Sequence, residues 1–380
     1  MMRKIICILF LLTIAVKLPL AQNLQGTVTE KYFIGPITKD TVFFNIYLPP
    51  GYDTSIEKYP VIIHLHGIGG SYNGMQSVSI PAVFEQAKNE GIIGPVIIVF
   101  PDGMNDSFWA DSYDGKIPVE TNIVSELIPY IDSVYRTYGD RDHRVIEGFS
   151  MGGFGTAKFI SKYPHLFKTA MIYDGALLQW PTILQRHANT VSKMFNNNEQ
   201  YFNQFSPWAF VAGNDSVLKS TITVRMAVGA IKNENRAFRD TLMAHKIAVE
   251  YVETTCDHNL GCLTDAQGVN SVAFIAKQLS STTQVPGETM APLEYKLFQN
   301  YPNPFNPTTT IGFTLQSSGH TTVKIYDALG REVATLVNEH LEAGINHQRT
   351  FDASKLSSGI YFARLQSNGK QMMKKLLLMK

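Results

Sequence analysis

Ser150 lies between two glycines in Gly148-Phe149-Ser150-Met151-Gly152, and Gly153 follows directly. Glycines on either side let a chain turn sharply, which lifts a serine hydroxyl clear of the backbone and sets the first amides of a following helix beside it. Such a serine becomes a nucleophile when a histidine takes its proton and a carboxylate orients that histidine. If the acid and the histidine follow the serine in the chain, His245 and His258 stand at suitable distance. His245 falls at the end of a helical stretch, where a cation has an ordinary capping role. His258 follows an apolar run by the short loop 253–257, where a base should hang, so His258 is the expected base.

Two carboxylates compete for the third place. Asp174 follows the first apolar run after the serine and Asp215 follows the second. A glycine-serine-glycine elbow between a strand and a helix resembles the α/β-hydrolase fold, whose usual acid position favours Asp215. An aspartate in Tyr173-Asp174-Gly175 also serves as a plain turn cap, and Asp174 is kept as the alternative because similar folds sometimes carry the acid one strand earlier. Asp257 is too close in sequence to His258 to orient its ring. A tetrahedral intermediate needs two amides aimed at one point. The stretch 61–70 carries Gly67, Gly69 and Gly70, so the backbone N–H groups of Ile68 and Met151 are the expected oxyanion donors. The His64-x-His66 motif brings no carboxylate or third ligand with it, and both histidines are read as structural rather than metal-binding.

The elements that must position these residues follow from the apolar pattern. Strands are expected at 41–48, 61–65, 96–100, 144–147, 169–173, 209–212 and 248–252, with helices at 119–138, 152–162, 217–245 and 269–279. Alternation of this kind predicts an α/β fold with a mostly parallel central sheet covered on both faces, the first strands forming an antiparallel edge. The pattern runs from Gln22 to Leu279, then gives way to the polar stretch Ser280 to Pro292, read as a linker. From Leu293 to Lys380 only short alternating runs remain, at 308–315, 321–326, 332–337, 346–351, 360–365 and 372–379, which predict a small all-β sandwich.

Met1 to Ala21 has a basic start, an apolar run of about 12 residues and a small residue before Gln22, the pattern of a secretory signal and shorter than the roughly 20 residues of a membrane-spanning helix. Removing it takes away Cys7 and leaves Cys256 and Cys262, six residues apart around His258, as a candidate disulfide in an oxidising compartment. The chain has 380 residues, room for two domains. Its 33 basic and 32 acidic residues balance to +1, which gives no global field for nucleic acid.

Several motifs together resemble one esterase family. His66-Gly-Ile-Gly-Gly-Ser71, Pro101-Asp-Gly103, Trp109-Ala-Asp-Ser112, Gly148-Phe-Ser-Met-Gly-Gly153 and Gly213-Asn-Asp215 are similar to feruloyl esterases, S-formylglutathione hydrolase, enterochelin esterases and mycolyltransferases. The resemblance covers about 25–279 and is strongest to the feruloyl esterase modules of xylan-degrading enzymes. It implies Ser150, Asp215 and His258 as nucleophile, acid and base. One departure is the loop 254–262, where the family commonly has a glycine-rich approach to its histidine. In the tail, 298–311, 323–333, 356–361 and the basic pair Lys374-Lys375 resemble the type A C-terminal sorting domain of type IX secretion substrates. That implies the type IX machinery as a partner and a secreted or cell-surface address.

The segment 175–207, with Trp180, Phe195, Tyr201, Phe202 and Phe205, and then Trp208, suits a lid or pocket wall, and Trp109 is expected to join it in holding an aromatic acyl group. These readings describe a secreted serine carboxylic-ester hydrolase acting through an acyl-enzyme on feruloyl or acyl esters of plant polysaccharide, with no cofactor or metal. The alternatives are an enterochelin-esterase-like siderophore hydrolase and a non-catalytic surface-binding protein on a hydrolase scaffold.

Overall fold

A computed structural model describes residues 24–213, 215–219, 221–280, 295–300, 303–341 and 346–379. The secretory signal at 1–21 and nearly all of the linker, from 281 onward, lie outside the described residues. The chain divides into two compact units, Met1–Thr282 and Thr283–Lys380. Among the described residues no helix is long and apolar enough to cross a membrane.

The first unit is built on one sheet of eight strands. In chain order they are β1 (Thr27–Ile34), β2 (Thr41–Leu48), β3 (Val61–Leu65), β4 (Ile97–Pro101), β5 (Arg144–Phe149), β6 (Thr169–Tyr173), β7 (Thr223–Val228) and β8 (Ala248–Glu253). Their order across the sheet is β1-β2-β4-β3-β5-β6-β7-β8. The β1–β2 and β2–β4 pairings are antiparallel and the rest parallel, as an α/β-hydrolase sheet requires.

Strands β3 to β6 are buried along almost their whole length, in keeping with the apolar stretches 61–63, 97–100, 145–146 and 170–173. Alternate residues serve opposite faces. Ile62, Ile98, Val145 and Met171 share one core with Val83 and Phe84 of helix α1 (Gln76–Asn89) and with Ile275 of the long C-terminal helix (Leu260–Ser280). Ile172 points the other way, toward Gly153 of the helix that follows β5. Between β4 and β5 the chain runs through α2 (Val119–Thr121), a π-helical turn (Asn122–Leu127) and α3 (Ile128–Val134). The helix after β5 is α4 (Met151–Lys162).

Two expected elements are corrected. Residues 209–212 are helical, inside α8 (Pro207–Gly213), which follows α5 (Trp180–Arg186), α6 (Ala188–Phe195) and α7 (Glu199–Asn203). A four-residue apolar run fits either state, and Pro207 at the first helical position decides for helix. The expected helix 217–245 instead contains α9 (Asp215–Leu218), strand β7 and α10 (Lys232–Ala244). Residues 223–228 alternate Thr, Val, Arg, Met, Ala, Val, and pairing with β6 and β8 on both sides overrides their helical context. The C-terminal helix, α11, begins at Leu260, nine residues before its expected start at 269.

The second unit holds a sheet β13-β10-β9 (Asn346–Asp352, Thr308–Thr314, Lys296–Leu297) and a sheet β12-β11-β14-β15 (Glu332–Leu341, Gly319–Asp327, Gly359–Ser367, Lys370–Leu378). Ile311 and Phe313 from the first sheet and Val323, Ile325, Ala363 and Leu365 from the second bury one common core, as in a sandwich.

Candidate active site

Ser150 occupies the single residue between the end of β5 and the start of α4, with φ 57° and ψ −116°. That left-handed backbone costs a non-glycine residue about 1–3 kcal/mol and persists only where the surroundings enforce it. They do so here. The Ser150 N–H donates to the carbonyl of Tyr173 at 3.1 Å, and its own carbonyl accepts from Phe154 and Ala176. Glycine is required beside it, because a Cβ on Gly152 would stand 1.9 Å from the Leu65 carbonyl oxygen and one on Gly148 would stand 2.5 Å from the Gly152 backbone.

His258 hangs on the loop after β8. Its Nε2 lies 2.8 Å from the Ser150 Oγ and its Nδ1 lies 2.6 Å from Asp174 Oδ2. The Phe149 ring stacks on the imidazole at 4.7 Å, a contact that nothing in the sequence pattern signals. Cys256 and Cys262 are joined in a disulfide that brackets this residue, and the Thr254 N–H donates to the Val228 carbonyl at 2.7 Å.

The carboxylate facing His258 is therefore Asp174, the alternative, in place of the expected Asp215. Asp215 opens the short helix α9, because the run before it is α8 and not a strand. Asp174 sits at the end of β6 with φ 42°, fully buried. The amides of Gly229 and Ile231 donate to its Oδ1 at 3.0 Å each, and that of Ala230 donates to Oδ2 at 3.1 Å. Three backbone donors compensate the burial of a charge that would otherwise be costly. They come from the turn after β7, whose residues Gly229-Ala-Ile-Lys232 include no carboxylate. Gly229 has no room for a side chain, since a Cβ would lie 2.7 Å from the Asp257 carbonyl oxygen.

The loop after β3 presses on the serine from the other side: a Cβ on Gly67 would stand 3.2 Å from the Ser150 Cβ. His66 fixes this loop. Its Nδ1 donates to the Gly67 carbonyl at 2.9 Å while its Nε2 accepts the Gly103 N–H at 3.0 Å, and the Trp109 indole N–H donates to the His66 carbonyl at 3.3 Å. The Ile68 amide follows Gly67 directly, and the Met151 amide is the first of α4, among those a helix leaves without internal partners. His64 faces elsewhere, with Nδ1 2.8 Å from Glu147 Oε1 in the buried sheet.

Behind the loop lies a buried charge cluster. The Lys158 ammonium donates to the Trp109 carbonyl and lies 2.6 Å from Glu120, which also meets Lys162 at 2.5 Å. Burial pushes the Lys158 ammonium down to about 8, against the pull of Glu120. Burial alone would raise the Glu120 carboxyl, but the two lysines overcome it and hold it at about 2. Phe108 and Trp109, the latter held through its carbonyl by Lys158, have φ of 50° and 60°.

Trp109 is not a pocket wall. It is fully buried, and its ring fills the space over Gly103 and Gly155. Phe195 and Phe202 are likewise fully buried and pack edge-to-face at 5.2 Å. Of the expected aromatic wall, Trp180 and Trp208 are partly exposed and line one cleft.

The family model described as "Putative esterase" matches residues 36–259, and that of the secretion system C-terminal sorting domain matches residues 299–379. An esterase of Mycobacterium tuberculosis is 34% identical over 134 residues, 34% of this chain and 28% of that protein. An endo-1,4-beta-xylanase/feruloyl esterase of Xylanibacter ruminicola is 29% identical over 151 residues, 38% of this chain and 21% of that protein. The chain thus spans about a quarter of the length of these relatives. Among solved structures, a ferulic acid esterase is similar at TM-score 0.58 and 18% identity, over 67% of this chain and 100% of the other. The S-formylglutathione hydrolase of Staphylococcus aureus is similar at TM-score 0.56 and 16% identity, over 66% and 99%. At these identities the structures speak for the fold, and the match over residues 36–259 places this chain in the esterase family.

Proposed function

We propose that the protein is a secreted serine carboxylic-ester hydrolase. The observation that carries this reading is the continuous line of hydrogen-bonding atoms from Asp174 Oδ2 through the His258 ring to Ser150 Oγ, at 2.6 and 2.8 Å. With Nδ1–H donating to Asp174, Nε2 is free of a proton and accepts that of the serine hydroxyl. As Ser150 Oγ attacks the ester carbonyl, His258 takes this proton, and the N–H groups of Ile68 and Met151 receive the oxyanion. The imidazolium returns the proton to the departing alcohol, leaving an acyl-serine. Water, deprotonated by His258 in turn, releases the acid and restores the hydroxyl. Asp174 faces the imidazolium in both halves, held in place by its three amide donors.

The proposed substrates are feruloyl or other acyl esters on plant polysaccharide. Support comes from the names of the xylanase/feruloyl esterase relative and of the ferulic acid esterase of similar fold, and from the C-terminal sorting domain, which suits an enzyme acting outside the cell through the type IX machinery. A fluorophosphonate probe should label the protein at Ser150, and Ser150→Ala should abolish labelling and lower kcat at least about 10³-fold while the fold persists. Turnover of methyl ferulate and p-nitrophenyl acetate by the wild type, set against a siderophore ester, tests the substrate class. Undiminished hydrolysis by Ser150→Ala would remove the mechanism.

A further inference from the structure

The segment between β6 and β7 carries the two partly exposed tryptophans, Trp180 and Trp208, and both line a single cleft of about 400 Å³. The third tryptophan, Trp109, is fully buried. Each cleft ring is braced from behind by a buried phenylalanine. Trp180 lies 5.6 Å from Phe202 and Trp208 lies 5.1 Å from Phe238, centroid to centroid. Rings so held keep an apolar surface toward the cleft at little further cost in side-chain freedom. Pro181 and Ala209 complete the apolar part of the lining, and the rest is polar and without a cation, with Gln179, Asn203, Ser206 and Glu199 supplying amide, hydroxyl and carboxylate groups.

This combination selects among ligand classes. An aliphatic chain would displace water from the exposed Gln179, Asn203 and Glu199 without replacing its hydrogen bonds, and an anion would meet Glu199 with no cation in the lining to offset it. A sugar ring satisfies both demands, since its C–H face lies on an indole while its hydroxyl edge pairs with carboxamides and a carboxylate. Gln179 is five residues along the chain from Asp174, a reach of at most about 18 Å, which puts this edge of the cleft within an oligosaccharide's span of the Asp174–His258 pair.

We infer that the Trp180–Trp208 cleft binds neutral sugar units of a polysaccharide-borne ester. As a statement about substrate this rests on the esterase reading, but its binding test does not. Titrating the full chain with xylohexaose, cellohexaose or mannohexaose should give a saturable change in tryptophan fluorescence. Trp180→Ala should weaken that binding at least tenfold, and Gln179→Ala/Asn203→Ala, which keeps both indoles, should weaken it at least threefold. For hydrolysis, the ratio of kcat/KM on feruloylated arabinoxylan to that on methyl ferulate should fall at least fivefold in both variants. If none of the three sugars binds, or both folded variants bind as the wild type does, the inference is overturned. A wild-type chain that binds sugar yet hydrolyses no ester would overturn the esterase reading and leave the cleft standing.

Discussion

Asp174 and His258 stand 84 positions apart in the chain and meet at 2.6 Å, joining the end of β6 to the loop after β8. Because Asp174 holds the imidazole by Nδ1, Asp174→Asn should present the wrong tautomer to Ser150 and lower kcat by about 10³-fold or more. Asp215→Asn, at the start of α9, should leave kcat within about twofold. Steady-state kinetics on p-nitrophenyl acetate decide between them, and the reverse ranking would return the acid's role to Asp215.

The disulfide closes a small ring around the base, its two cysteines separated by 6 positions. On the loop-entropy account it stabilises the fold by about 2 kcal/mol. The double variant Cys256→Ser/Cys262→Ser should therefore unfold at lower urea, and its kcat should fall because the His258 loop loses its clamp. An unchanged urea midpoint together with an unchanged kcat would show that the bridge does neither.

His165 supplies a pH signature. Burial, aided by the charges of Arg141 and Arg144, pushes its imidazole down to about 4 from the ordinary 6.5. Between these values the unfolded chain holds a proton that the folded chain does not, so stability from this group is fully present above pH 6.5 and is lost as pH falls toward 4. The melting temperature should drop across that window, and the drop should be shallower in His165→Gln. Parallel curves for the two proteins would assign the acid sensitivity elsewhere.

The second unit buries its own core, and the residues placed around Ser150 all belong to the first. A chain ending at Thr282 should keep kcat/KM on soluble esters within about twofold, yet stay in the periplasm of a host with type IX secretion. Esterase assays on intact cells and periplasmic extracts measure this, and surface delivery of the shortened chain would argue against a sorting role.

The meeting of Ser150 and His258 is legible in the sequence because both signals are local. Gly148 and Gly152 mark the elbow, and His258 follows a run that does become a strand. The acid depended on counting strands, and one miscount moved it. Residues 209–212 are apolar enough for a strand, while the alternation at 223–228 is concealed among polar, helix-compatible neighbours. What makes 223–228 a strand is pairing on both edges, and what makes Asp174 the partner of His258 is an amide turn 55 to 57 residues downstream. Neither relation leaves a periodic trace. Trp109 was misjudged for a related reason, since an aromatic near a glycine-rich loop reads the same whether it lines a cavity or fills one. Only the close approach of Gly103 and Gly155 separates the two.

The carboxylate of Asp174 is gripped by main-chain groups alone on the side away from the histidine. Evolution can therefore rewrite the side chains of Ala230 and Ile231 without touching the acid's orientation, provided the peptide planes keep their direction. The constraint falls instead on Gly229 and on the pairing of β7 with its neighbours, so inheritance at this corner is of shape more than of letters. A comparison of descendants should find the turn's backbone preserved where its residues have drifted.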